Sequence, residues 1–290
     1  MIYFAIALKI VFLFVDGLGL GAPAEDNPIN SEVCPTLWRL LSNHAKPIDA
    51  CLGVDGPPQS ATGQATMFTG VNCAAAIGRH CEGFPGLALR RIVEADNLFL
   101  ALARLGLKVR FSNAYLADSV EDLRARRFKS VTTVMALTTP EVIATTADLA
   151  EDRALMQDIT RETIQDRYPD LPVISPPRAA EHLFRIARDN DFTLFEFFQT
   201  DISGHSMDYA RACAVLRVYD TFLASLVRSA EAARMTLVMT SDHGNIESIS
   251  ARGHTRNPVP FMAFGPGEER LRARVSSLAD VTPAVLEAFA

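Results

Sequence analysis

The chain has 290 residues, 49% of them hydrophobic and 21% charged. That is ample material for a buried core and too little polarity for a disordered chain. The length suits one large α/β domain with a modest insertion and excludes two large domains. Twenty-eight basic against 34 acidic residues leave a net charge of −6, which argues against a nucleic-acid-binding surface.

Residues 1–15, MIYFAIALKIVFLFV, are apolar apart from Lys9. A secretory signal would carry basic residues ahead of the run and a small-residue cleavage site after it, and a membrane span needs about 20 apolar residues. The run is therefore expected to be a short leader followed by a buried first strand at residues 10–15, with no membrane partner. Further short apolar runs at 109–112, 193–200, 236–241 and 259–264 are apolar on both faces, as strands of a covered parallel sheet are. Helix-period stretches alternate with them at 36–43, 94–105, 178–190, 208–234 and 280–289. This alternation predicts an α/β fold, a mostly parallel sheet sandwiched by helices. Residues 115–177 break the pattern with polar, helical sequence and the turn-rich stretch PDLPVISPPR. They are expected to form a small, mainly helical cap insertion, dividing a core of residues 1–114 and 178–290. Cys34, Cys51, Cys73, Cys81 and Cys213 are odd in number and form no CxxC pair. They fit a reducing, cytoplasmic setting better than a disulfide framework or a zinc ribbon.

Ligand-type side chains cluster at the predicted strand ends. Asp16 follows the first strand, Asp201 the third and Asp242–His243 the fourth. In open α/β sheets the site lies beyond the carboxyl ends of the strands, so these side chains should converge. His205 follows Asp201 by four residues, and His254 lies in Gly-His-Thr-Arg-Asn-Pro. Six Asp and His donors suit zinc or manganese and exceed what one tetrahedral ion needs. Two ions roughly 3.5–4 Å apart are the natural inference. His44 and His182 fall on helical stretches and read as surface or packing residues; His80 reads either way. Ser60, in Pro-Pro-Gln-Ser-Ala-Thr-Gly, stands before a short apolar stretch able to start a helix. A helix start favours an anion, and a serine beside a dication becomes a nucleophile.

Together, Phe-Val-Asp16-Gly, Ser60-Ala-Thr-Gly, Asp201-Ile-Ser-Gly-His205, Ser-Asp242-His243-Gly-Asn-Ile-Glu and Gly-His254-Thr-Arg-Asn-Pro resemble the alkaline phosphatase superfamily. The closest branch resembles cofactor-independent phosphoglycerate mutase and phosphopentomutase, over roughly residues 9–70 and 190–290. The resemblance implies an alkaline phosphatase-like core with one divalent ion held by Asp201, His205 and His254. A second would be held by Asp16, Ser60, Asp242 and His243. It also implies Ser60, rather than Thr62, as the nucleophile attacking a phosphate ester to form a phosphoserine. Manganese follows from the mutases and zinc from the phosphatases.

Two departures bear on the activity: Gln64 follows Gly63 where the mutases carry histidine, and residues 115–177 are far fewer than the mutases' inserted domain. The expected function is thus a metal-dependent phosphomonoester hydrolase acting on a small phosphorylated metabolite. A mutase, a nucleotide phosphodiesterase and a metal-binding non-catalytic homologue are the alternatives. Arg79 and Asn72 are candidate substrate-binding residues, and Arg256 is similarly open. The spacing Gly17-x-Gly19-x-x-Ala22 matches a dinucleotide fingerprint, but the proline-bearing stretch after it makes a poor helix start. A sulfatase is disfavoured because Ser60-Ala-Thr-Gly is not a C/S-x-P-x-R motif.

Overall fold

The computed structural model describes residues 8–290, so the expected leader lies outside the described residues. The first strand, β1 (Ile10–Val15), is buried along its whole length. Side chains alternate across a strand. Ile10, Phe12 and Phe14 accordingly enter one core, and Val11, Leu13 and Val15 the other. Both faces of the sheet are covered, as the continuous apolar run predicts.

Five more strands complete the sheet: β2 (Ala45–Ile48), β3 (Val109–Phe111), β4 (Phe192–Phe197), β5 (Thr236–Thr240) and β6 (Val259–Phe264). Their order is β2-β6-β5-β1-β4-β3. β1 runs parallel to β4 and β5, and β3 parallel to β4, while β6 and β2 are antiparallel additions at one edge. β2, Ala-Lys-Pro-Ile, has no apolar alternation and contains a proline. Only an edge position, where one side of the ladder is unpaired, tolerates it.

The helices are α1 (Pro35–His44), α2 (Ser60–Thr69), α3 (Cys73–Ile77), α4 (Leu87–Ala95), α5 (Leu98–Arg104), α6 (Val120–Ala125) and α7 (Val131–Thr138). They continue with α8 (Thr146–Ala150), α9 (Pro176–Arg188), α10 (Gln199–Ser206), α11 (Tyr209–Ala233), α12 (Glu268–Arg274) and α13 (Val281–Phe289). α1, α9 and α11 cover the Val11 face; α2, α4, α5, α7 and α13 cover the Phe12 face.

Two elements differ from the sequence expectation. The stretch 94–105 is two helices, because the Asn97 side chain accepts from the Phe99 and Leu100 N–H groups and starts α5 afresh. The strand expected to reach Thr200 stops at Phe197, and Asp201 sits in the first turn of α10. Between residues 115 and 177 lie α6, α7, α8 and two short 3-10 turns. Within this segment α7 contributes Val131, Val134 and Met135 to the main core, whereas Leu149, Met156 and Ile164 form a small separate cluster.

Candidate metal centre

The chemistry-bearing side chains meet because β5, β1 and β4 are neighbours running the same way. Asp16 follows β1, Asp242 and His243 follow β5, and the chain beyond β4 turns into α10 with Asp201 and His205 one turn apart. His254 arrives from the β5–β6 connection, and Ser60 is the first residue of α2. Two donor groups result: Asp16, Asp242 and His243, all buried, and Asp201, His205 and His254, less so. Within each group the ligand atoms lie within 4.8 Å of one another. The groups adjoin, since the His243 and His254 rings stack at 3.6 Å between centroids, inclined by 12°. Ser60 Oγ lies 2.9 Å from His243 Nε2. All seven residues that the sequence pattern singled out are thereby brought together.

The donors are oriented by their neighbours. His254 Nδ1 lies 2.9 Å from the Pro58 carbonyl, an acceptor, so Nδ1 carries the proton and Nε2 presents a lone pair. That Nε2 is 3.1 Å from His205 Nε2. Asn245 Nδ2 donates to Asp201 Oδ1 at 2.7 Å, and Gln64 Nε2 donates to Asp16 Oδ2 at 3.2 Å and to Asp242 Oδ2 at 3.1 Å. The second carboxylate oxygens are buried and make no well-aligned hydrogen bond: Asp16 Oδ1 has only the His243 Nε2 contact at 3.2 Å, and Asp242 Oδ1 has no partner. Burial and the Asp242 charge push the Asp16 carboxyl well above its usual range. Burial disfavours the charged His243 ring, but Asp242 and Asp16 outweigh it and hold the ring at about 10. Orphaned carboxylate oxygens and the inward His254 lone pair are what a divalent cation satisfies, and a cation in place of the proton would do the same for His243, so this donor set fits divalent metal.

Glu247, 2% exposed, ties the surrounding loops together. It accepts from the Gly19 N–H at 3.0 Å, the Asn245 N–H at 2.8 Å, Asn257 Nδ2 at 3.0 Å and the Thr255 hydroxyl. The Gly17–Ala22 stretch is therefore bound to the His254 loop, and no helix opens there: the next one is α1, at Pro35. Asn72 and Arg79 lie elsewhere. The Asn72 side chain caps α3, accepting from the Ala75 N–H, and donates to the Leu52 carbonyl; Arg79 is exposed. Neither lines the cavity beside Ser60, and the Asn72 amide is committed to the backbone. His44 packs edge-on against Phe264 and His182 is buried 3.5 Å from Asp152, both away from the centre.

A family model described as the Metalloenzyme superfamily matches residues 8–290. The chain belongs to that family. Among curated proteins this Metalloenzyme-superfamily member is 33% identical over 129 residues to the 2,3-bisphosphoglycerate-independent phosphoglycerate mutase of Cereibacter sphaeroides. The match covers 41% of this chain and 25% of that one. It is 29% identical over 150 residues to the enzyme of the same name from Thermomicrobium roseum, covering 47% and 28%. The aligned part thus spans about a quarter of these relatives' length. A cold-active alkaline phosphatase from a Shewanella species superposes with a TM-score of 0.60 at 11% identity, covering 98% of this chain and 100% of that one. The alkaline phosphatase of the Antarctic bacterium TAB5 gives 0.58 at 12% identity, covering 97% of each. The fold of this superfamily member is that of the alkaline phosphatases.

Two further residues at the centre escaped the sequence reading. Glu196, 8% exposed, lines the same cavity from β4, and the Thr132 hydroxyl of α7 donates to its Oε2 at 2.9 Å. Burial lifts the Glu196 carboxyl to about 7. The available signal was a lone glutamate inside the otherwise apolar run Phe-Thr-Leu-Phe-Glu-Phe, because a charge on a strand buried on both faces must have a purpose or a partner.

Proposed function

We propose that this chain is a metal-dependent phosphomonoester hydrolase in which Ser60 is the nucleophile. The observation that carries this reading is the position of Ser60. Its hydroxyl opens a helix, 2.9 Å from His243 Nε2, beside two donor groups, one of which holds two buried carboxylate oxygens without a well-aligned hydrogen bond. Asp201, His205 and His254 would hold one divalent ion, and Asp16, Asp242, His243 and Ser60 the other. Zinc and manganese both suit the donors. Bound there, the ions supply Lewis acidity, easing proton loss from Ser60 and neutralising charge on the phosphate.

The chain's own residues do the rest. At the start of α2 the Thr62 N–H is taken by the Cys81 carbonyl at 3.3 Å, so the Ser60 and Ala61 N–H groups are the ones that would serve the phosphate oxygens. Ser60 Oγ attacks phosphorus, the bond to the leaving oxygen breaks, and that oxygen takes a proton. Water then attacks the phosphoserine and releases inorganic phosphate, regenerating the hydroxyl. Hydrolysis is favoured over a mutase reaction, because residues 115–177 are far fewer than the mutases' inserted domain.

The test is phosphate release from a generic aryl phosphate by metal-loaded protein, with metal content measured alongside. About two divalent ions per chain are expected. Ser60→Ala should lose activity by roughly 10³-fold or more while retaining at least the ion of the Asp201 group. Isomerised product without net phosphate release would show a mutase instead.

A further inference from the structure

The cavity that starts at Ser60 and Asp16 encloses about 810 Å3. Pockets of roughly 300–1,000 Å3 hold drug-sized molecules, so there is room for far more than a phosphoryl group. Away from the metal centre, several of its polar side chains are already engaged with one another, although the Tyr115 hydroxyl is without a hydrogen-bond partner and the exposed Arg126 and Arg167 side chains also line it. Asn113 donates to the Glu196 carbonyl at 2.7 Å and accepts from the Glu196 N–H at 2.8 Å. The Thr132 hydroxyl serves Glu196, the Ser130 hydroxyl lies 2.9 Å from those of Thr132 and Thr133, and Gln157 accepts from Gln199 at 2.6 Å. The engaged groups offer little to a polyhydroxylated leaving group, and a hydroxyl desolvated without a partner loses affinity.

What the wall does offer is ring surface. Phe84, ahead of α4, and Phe128, between α6 and α7, come from separate segments yet pair with centroids 5.3 Å apart and planes inclined by 30°. Both line the cavity and both are left in water, 54% and 59% exposed. Arg127 sits over the Phe128 ring, 5.1 Å from its centroid, in a cation–π contact. Ile202, 39% exposed, faces the same space from α10, one residue past Asp201. An apolar patch of this kind, continuous with a reactive centre, forgoes burial that a bound ligand would restore.

We infer that Phe84 and Phe128 form an aromatic subsite for the leaving group. The substrate is then a phosphate monoester carrying a flat aromatic ring. This inference rests on the phosphomonoesterase reading above and is tested separately from it. Calorimetry on the metal-loaded protein should compare naphthylmethylphosphonate with methylphosphonate, neither of which needs to turn over. The ring-bearing ligand should bind about tenfold tighter or better. In Phe84→Ala/Phe128→Ala that preference should fall toward one, and in Phe84→Tyr/Phe128→Tyr, which keeps both rings, it should persist. Equal affinities in the unaltered protein, or a preference that survives the double alanine variant, would overturn the subsite. A preference that behaves as expected in a protein releasing no phosphate from any ester would sustain the subsite and refute the hydrolase instead.

Discussion

Asp16 and Asp242 pose the main electrostatic problem of the centre: two carboxylates, 7% and 0% exposed, at the ends of adjacent strands. The Gln64 amide donates to both, adding polarity without adding charge and fixing which oxygens point inward. Groups that orient metal ligands in this way contribute about 10–100-fold to metal affinity. Gln64→Leu should therefore weaken metal binding by that factor, read by calorimetric titration, while the fold persists. An unchanged affinity would reduce Gln64 to a packing residue. Gln64 stood out in the sequence only as a departure from a pattern. Its role needed coordinates, because the two acceptors lie 48 positions before it and 178 after it in the chain.

Helix α2 shows how one element carries the nucleophile into place. Every residue from Ala61 to Phe68 is buried, so the helix is enclosed on all sides and cannot slide. Gly63 allows the closest approach: a Cβ there would stand 2.7 Å from the Asp242 carbonyl oxygen and 2.9 Å from the Asp242 Cβ. Neither neighbour can yield, so Gly63→Ala should push the start of α2 away from β5 and carry Ser60 with it. A displacement near 1 Å costs about 10²-fold in rate, and that loss in kcat on an aryl phosphate is expected. Strand periodicity located β1 and β6 to the residue, since runs buried on both faces are unambiguous. It overran β4 because Phe198, Gln199 and Thr200 continue the run; the helix there is imposed by packing.

Across the molecule, the sheet brings three aspartates, Asp16, Asp201 and Asp242, to one edge, and among the described residues no lysine or arginine forms an ion pair with them. Metal binding and folding should therefore be coupled. Saturation at about 100 times the dissociation constant adds roughly 2.7 kcal/mol per site. For a chain of this size each kcal/mol moves Tm by about 2–4 °C. Chelator treatment is thus expected to lower Tm by about 5–10 °C or more, with recovery on adding zinc or manganese. An insensitive melting curve would argue that the centre holds no ion. Among the described residues no helix is long and apolar enough to cross a membrane.

The amino-acid order by itself determined the layered α/β architecture and the seven candidate ligands and nucleophile. Local periodicity and motif spacing are properties of contiguous residues, and the strand-end rule carries them to one edge. Which surfaces surround that edge was decided only in three dimensions. Phe84 meets Phe128, Thr132 reaches Glu196, and the Asn72 amide reaches the Leu52 carbonyl. Such partnerships depend on which segments pack together, and no short-range pattern in the chain encodes them.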